Sequence, residues 1–386
     1  MSTRGFRSKS AAARRMRVVA VTGVVGKTTT AWLTAAVLSE AGLRVGVVSD
    51  LGCVGTDGVV CGPPDRRRPA AVAEWLERLE ADGCTHAVVE VSPETVAAGV
   101  IGRDSCRAVV VTGLARGRQA GTAALVRRIA TVIAPGGCLI VPRTRGLEGL
   151  LAGVARRDGR TCLTAGIESG CDVLARPVER GLHGQMCLAS GGGQVVPVSM
   201  DVPVASFARN AMCAAAAGLC LGVPLDTAAR GIEAAGCVAG RVERLDRGQE
   251  FAAFLDAPPD RRALASTLAS LRRLTSGRLA VVAERRLVDA IGAEGFAGPV
   301  RRTCDDVVVM PSDVLDDDAD GEAIAAYARV DRVLGKLGTG DCLLALGASA
   351  APGPRDGGGV PVATLVDGWL RLAHPPRRFA AGPRAA

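Results

Sequence analysis

A short apolar run, Arg17-Val-Val-Ala-Val-Thr22, leads into Gly23-Val-Val-Gly26-Lys27-Thr28-Thr29-Thr30, and a helical pattern follows to about Ala41, ahead of Gly42. This strand–loop–helix order constrains the fold more than any other feature of the chain. Glycines let backbone N–H groups approach an anion, and the helix N-terminus adds a favourable dipole. Lys27 is a compact charge suited to β/γ-phosphates, and the Thr28 hydroxyl can ligate Mg2+. The loop is shorter than the common G-x-x-x-x-G-K-[ST], since position 21 is Val. Gly23, Gly26, Lys27, Thr28 and Thr29 are therefore the expected phosphate cradle. Val45–Ser49 reads as the next strand, so the chain opens as a βαβ unit with a parallel sheet.

Composition sharpens the role of Lys27. Among 47 basic residues, only Lys9, Lys27 and Lys336 are lysines. An arginine-saturated chain has kept a lysine where a phosphate needs one. The net charge is +8, but the arginines are dispersed in pairs such as Arg127–Arg128 and Arg272–Arg273. Aromatic residues make up 3% of the chain, which leaves little for nucleic-acid bases to stack on, so no nucleic-acid partner is expected. A content of 48% hydrophobic and 22% charged residues is that of a folded globular chain. Thirteen cysteines include no C-x-x-C pair, and His86, His183 and His374 are the only histidines, so a zinc site is not expected. Cys138, Cys213, Cys220 and Cys342 lie in apolar runs and read as small buried hydrophobes. Free thiols in this number, with no apolar stretch of membrane-spanning length, point to a cytoplasmic protein without membrane insertion. Arg14-Arg15 precedes an apolar run, but that run leads directly into the phosphate loop, so residues 1–15 read as a flexible basic tail.

The 386 residues suggest two or three domains. We expect a nucleotide-binding domain over residues 16–238, a second α/β domain over 239–374, and a loose tail over 375–386. In the first, a helix from Pro69 through Leu79 precedes strands at His86–Val91 and Arg107–Thr112, a helix near 121–133, and a strand at Cys138–Val141. Residues 171–203 alternate short β-like pieces with glycine turns, as in a small antiparallel meander. Ser206 is placed to cap an Ala-rich helix reaching about Leu221. In the second domain, strands are expected at Phe251–Asp256, Leu279–Ala283, Val307–Met310 and Cys342–Leu346. A helix over Pro259–Thr275 puts Leu264, Leu268 and Leu271 on one face. Gly335-Lys336-Leu-Gly-Thr-Gly340-Asp341 is phosphate-friendly in composition but reads better as the loop before the last strand.

Here a family resemblance enters. Val21-Thr-Gly-Val-Val-Gly-Lys-Thr-Thr-Thr30 resembles the Thr-Gly-x-x-Gly-Lys-Thr-Thr loop of the Mur ligase family, which joins a carboxylate to an amine with ATP. Further resemblances follow in order: Gly55-Thr56, Glu90 in Val-Val-Glu-Val-Ser92, Asn210-Ala-x-x-Ala-Ala, Gly240-Arg-Val-Glu-Arg244-Leu-Asp-Arg-Gly248, and Asp256 followed by Ala263-Leu264. They are most similar to the UDP-N-acetylmuramyl-tripeptide synthetase branch. The resemblance implies a P-loop central domain with a parallel sheet and a small antiparallel meander. A Rossmann-like C-terminal domain would follow, with ATP and Mg2+ as cofactors. It implies Glu90 as a metal ligand and catalytic residue, Asn210 at the adenine, Arg241 at the phosphates and Asp256 at the ribose. The residues themselves leave other readings open. Glu90 could be a solvated strand-end acid, Asn210 could stabilise its helix end, Arg241 could be a surface arginine, and Asp256 could cap the following helix.

Departures from the family pattern bear on chemistry. Its Thr-Asn-Leu-x-x-Asp-His segment reads Thr112-Gly-Leu-Ala-Arg-Gly-Arg118 here, its Thr-Thr-Pro reads Arg67-Arg68-Pro69, and a histidine after Asp256 is Pro259. Its Gly-Lys-Gly is Gly347-Ala-Ser349, and the Asp-Asn-Pro-Arg that reads an incoming diaminopimelate is Asp313-Val-Leu-Asp316. Many members carbamylate a central-domain lysine. No lysine lies between Lys27 and Lys336, and Arg127 and Arg128 stand on the corresponding helix. Guanidinium stays protonated and cannot take that modification. No UDP-sugar-binding domain is recognisable ahead of the loop. The expected function is an ATP-dependent acid–amino acid ligase working through an acyl phosphate, related to the cell wall, with carboxylate and amine unknown. The alternatives are a degenerate homologue that binds nucleotide as a regulatory or scaffolding protein, and an unrelated ATPase.

Overall fold

A computed structural model describes residues 16–64, 70–92, 101–102, 104–113, 128–143, 149, 151, 153, 155, 159–311, 321–347 and 362–373. Outside them lie the basic tail, Arg67-Arg68-Pro69, Arg118, Arg127, most of the helix expected near 121–133, Asp313–Asp316, Ser349 and the C-terminal tail. The chain divides into two compact units between Val238 and Ala239.

The first unit runs β1 (Arg17–Thr22), α1 (Lys27–Glu40), β2 (Val45–Ser49), β3 (Gly52–Val54), β4 (Val60–Cys61), α2 (Ala70–Ala81), β5 (His86–Glu90), β6 (Cys106–Val111), β7 (Ile133–Pro142) and β8 (Thr161–Gly166). It continues through β9 (Val173–Gly181), β10 (Gly184–Gly191), β11 (Gln194–Met200), α3 (Ala205–Cys220) and α4 (Leu225–Ala235). All eleven strands join one sheet in the order β11-β10-β9-β8-β7-β6-β1-β5-β2-β3-β4. β1, β5 and β6 are buried along nearly their whole length, as parallel strands covered on both faces must be. Leu76 and Leu79 of α2 pack into the same core as Ala87 and Val89 of β5. α1 packs against α3 and α4. Ala214 to Ala217 of α3 are fully buried, small side chains that let the helix lie close to its neighbours.

The meander at 171–203 is present as β9, β10 and β11, paired antiparallel. It is not a separate sheet: β8 and β9 pair in parallel at Ala165↔Val173 and Gly166↔Leu174, so it extends the main sheet. Three local expectations are corrected. Ser206 does not cap α3. The helix starts at Ala205 with Val204 at its N-cap and no side-chain cap bond, since buried Val202 and Val204 anchor the entry instead. Ile133 opens β7 rather than closing a helix, because it pairs with Cys106 before an irregularity brings Cys138 opposite Ala108. Cys220 is half-buried, unlike Cys138, Cys213 and Cys342.

The second unit runs β12 (Arg241–Leu245), β13 (Ala252–Asp256), α5 (Arg261–Leu274), β14 (Leu279–Glu284), α6 (Arg285–Ile291), α7 (Ala293–Thr303), β15 (Asp306–Met310), α8 (Gly321–Leu334), β16 (Cys342–Leu346) and α9 (Val362–Ala373). The sheet order is β12-β13-β16-β14-β15, parallel except for the β12 edge. Leu264, Leu268 and Leu271 of α5 are buried together, on the face their spacing predicts. The helix starts at Arg261 rather than Pro259: Asp260 is its N-cap and accepts from the Arg262 and Ala263 N–H groups. Gly335 to Asp341 form the loop before β16, with the Asp341 carboxylate accepting from the Gly338 and Arg278 N–H groups. Among the described residues, no helix is long and apolar enough to cross a membrane.

Candidate functional site

Parallel pairing of β1 with β5 sets Val21 opposite Glu90, so the acid stands at the carboxyl edge of the sheet beside the loop that follows β1. This is the edge at which open α/β sheets collect ligands. Gly26 is the N-cap of α1, with φ +86°, so Lys27 and Thr28 are the first helical residues. The Thr30 N–H closes onto the Gly26 carbonyl at 2.9 Å, which leaves the N–H groups before it at the open end of the helix.

The Thr28 hydroxyl donates to Glu90 Oε2 at 2.9 Å. The Asp50 N–H donates to the same oxygen at 3.1 Å. Lys27 Nζ lies 3.7 Å from Glu90 Oε1, and the Glu90 side chain is 2% exposed. Among the described residues, Oε1 has no hydrogen-bond partner although it is buried, and the Thr30 hydroxyl is likewise unpartnered. Buried carboxylate oxygens without donors are costly in a folded chain. A hard oxygen pair, Glu90 and Thr28, beside a lysine and a helix N-terminus fits Mg2+ bound to phosphate.

Two further segments complete the loop's surroundings. The Val24 N–H donates to the Gly113 carbonyl at 3.0 Å, so the chain leaving β6 clasps the loop. Gly23 has φ +140°, and a Cβ there would lie 2.8 Å from the Gly113 carbonyl oxygen. On the other side, α3 brings the Asn210 carboxamide against Gly26: a Cβ on Gly26 would lie 2.6 Å from Oδ1 and 2.9 Å from Nδ2. Gly23, Gly26, Lys27, Thr28, Glu90 and Asn210 are thus drawn together from four elements, and Thr29 follows, buried, in α1. The loop contacts of Thr112 and Gly113 and the Asp50 N–H were missed in the sequence. The available signals were Thr112 at the end of an apolar strand and the match of Thr112-Gly113 to the start of the family's Thr-Asn-Leu segment.

Arg241 and Asp256 lie in the second unit, opposite one another across β12 and β13. Arg241 Nη1 donates to the Ala257 carbonyl, and its buried Nε–H has no acceptor among the described residues. Asp256 is 5% exposed and accepts from the Thr267 hydroxyl at 3.0 Å. Burial pushes its carboxyl up to about 6, against the pull of Arg241, Thr267 and the Val242 and Ala257 N–H groups that face it. It does not cap α5; Asp260 does. Thr267 was also missed, although it is a polar residue on the apolar Leu264–Leu268–Leu271 face.

The Mur ligase middle domain family matches residues 21–218. The UDP-N-acetylmuramoyl-L-alanyl-D-glutamate–2,6-diaminopimelate ligase of Corynebacterium efficiens is 30% identical over 308 residues, which are 75% of this chain and 55% of that protein. The chain therefore spans about half the length of that relative. A solved structure of a ligase of the same name is similar with a TM-score of 0.66 at 17% identity, covering 96% of this chain and 80% of the other. Folylpolyglutamate synthase from Thermotoga maritima is similar with a TM-score of 0.65 at 13% identity, covering 88% of each chain. Over the middle domain in sequence and over both sheets in fold, the chain belongs to the Mur ligase family.

Proposed function

We propose that this chain is an ATP-dependent carboxylate–amine ligase, in keeping with its family. The observation that carries the reading is the buried, donor-free Oε1 of Glu90 at the phosphate loop, flanked by Lys27 and the Thr28 hydroxyl. Glu90 and Thr28 would hold Mg2+, which when bound screens charge between the terminal phosphates. Lys27 and the open N–H groups of α1 stabilise negative charge on the phosphoryl oxygens. Gly23 and Gly26 give the phosphates backbone access, and Asn210 serves the adenine side. Arg241 is assigned to nucleotide charge, for which its unpartnered Nε–H is suited.

The proposed reaction is the one the family resemblance implies. A substrate carboxylate oxygen attacks the γ-phosphorus, the bond to the ADP oxygen breaks, and an acyl phosphate forms. An amine then attacks the acyl carbon, loses its proton and expels phosphate. No lysine lies between Lys27 and Lys336, so this chemistry runs without a carbamylated lysine. The relatives' names point to cell-wall precursors carrying a free carboxylate, and to amino acids, as the first substrates to try. The test is phosphate release from Mg-ATP against a panel of carboxylates paired with amino acids. Release that depends on both partners supports a ligase. Tight ATP binding without turnover for any pair would instead identify a nucleotide-binding homologue without ligase activity.

A further inference from the structure

Cys138 and Cys220 meet inside the first unit. Cys138 stands on β7, between Ala108 of β6 and Thr161 of β8, and is buried. Cys220 is the last residue of α3 and is half-buried. Their thiols lie within hydrogen-bond reach of one another. The fully buried Ala214 to Ala217 explain the approach: small side chains let α3 lie close to the sheet, so its last turn reaches a side chain of β7. Sulfurs this close, carried on two elements, need only a small shift to reach bonding distance. α3 ends here, with Gly222 at φ +88° just beyond, so its last turn can supply that shift.

The pair is also reachable. Both cysteines line an open cleft of about 450 Å³, together with Gly136, Thr161, Asp172 and Gly192. Gly136 and Gly192 add no side chain to its wall, and the space admits a small organic molecule. The two thiols differ in readiness. The hydrogen bond with Cys220, burial and the Asp172 charge push the Cys138 thiol up. A thiol held protonated is a slow opening nucleophile, so the more exposed Cys220 reacts first and Cys138 second.

We propose that Cys138 and Cys220 are a redox pair, which a small organic disulfide entering the cleft oxidises to an intramolecular disulfide that fastens the end of α3 to β7. The Cys220 thiolate attacks one sulfur of the small disulfide, that S–S bond breaks, and the departing thiolate takes up the proton Cys220 released. The Cys138 sulfur then attacks the Cys220 sulfur, and its proton passes to the second departing thiolate. Two protein thiols are oxidised, and one small disulfide is reduced to two thiols. α3 also carries Asn210 to Gly26, so the bond secures the helix that flanks the phosphate loop.

Mass spectrometry tests the proposal on the full chain, incubated folded with 2-hydroxyethyl disulfide, then alkylated and digested without reduction. The expected product is a peptide pair joined at Cys138 and Cys220 that dithiothreitol separates. Exposed Cys237 should carry the hydroxyethylthio adduct in the same digest. C138S should accumulate that adduct at Cys220, because the resolving thiol is gone. C220S should slow loss of the Cys138 thiol by about tenfold or more. The linked wild-type protein should unfold at a higher urea concentration than the reduced protein, a difference absent from C138S/C220S.

A stable adduct at Cys220 of the wild type overturns the proposal, as does a link to Cys138 that forms only in urea. A linked protein that unfolds no later than the reduced one overturns the fastening role. The wild-type digest decides the pairing even where a serine variant fails to fold.

Discussion

Thr28 and Glu90 are 62 positions apart in the chain, and the hydroxyl of one donates to the carboxylate of the other at 2.9 Å. The bond exists because β1 and β5 are neighbours in the sheet, with Val21 opposite Glu90, and because α1 begins immediately after the loop. It places the carboxylate at the end of β5 beside Lys27, the lysine of the loop, with the Glu90 side chain almost closed to water.

Glu90→Gln keeps the shape of the side chain and removes its charge. Mg2+-dependent phosphate release should fall by about 100-fold or more, with the secondary structure unchanged. Phosphate release titrated against Mg2+, with circular dichroism as a control, checks this. An undiminished rate would exclude Glu90 as the metal ligand.

Lys27→Ala should abolish ATP binding. The lysine contributes a compact charge at the helix N-terminus, which a planar guanidinium does not reproduce in geometry. Calorimetry with Mg-ATP reads the loss directly, and retained affinity would reject the phosphate-cradle reading.

Gly26→Ala meets two costs. Its φ of +86° strains any L side chain, and the new Cβ would run into the Asn210 carboxamide. The variant should lose about 2 kcal/mol or more in urea unfolding. Adding Asn210→Ala removes the clash and should recover part of that loss, leaving about 1–2 kcal/mol from the backbone alone.

Asp256 gives a pH dependence of unusual sign. Burial raises its pKa from 3.8 to about 6, so between those values the native state holds a proton that the unfolded chain releases. Its contribution is present at low pH and lost as pH rises through about 6. Relative to Asp256→Asn, wild-type stability should therefore decline by on the order of 2–3 kcal/mol between pH 4 and pH 7. Denaturant unfolding of both proteins across that range measures the difference, and parallel curves would refute it. Asp260→Ala is the contrasting case: loss of the α5 N-cap should cost about 1 kcal/mol at neutral pH.

Thiol labelling tests the packing. Cys61 and Cys237 are exposed and should react with a disulfide reagent within minutes. Burial pushes Cys53, Cys106, Cys213 and Cys342 up to about 12, so these four should react only on unfolding.

The phosphate loop, the parallel strands around it, and the apolar face of α5 were legible because each is written locally. Glycine spacing, β-branched runs and a 3.6-residue period act within a few residues of themselves. Element edges were less legible. Val204 rather than Ser206 opens α3, and Asp260 rather than Pro259 opens α5, because burial of the entering chain and cap geometry decide where a helix starts.

The linear chain by itself determined that a glycine-rich loop of phosphate-binding type stands between a strand and a helix, that it carries one lysine, and that no other lysine follows before Lys336. Tertiary structure alone decided where the two strand-end acids lie and what they touch. Glu90 is buried beside Lys27 by the β1–β5 register, with Oε1 lacking a hydrogen-bond donor among the described residues, Asn210 meets Gly26 because α3 packs beside α1, and the meander joins the main sheet because β8 meets β9. Asp256 is buried and accepts from Thr267 because α5 packs over β13. These relations join residues from 8 to 184 positions apart, and hydrogen bonding and burial between separate elements depend on packing that no local pattern encodes.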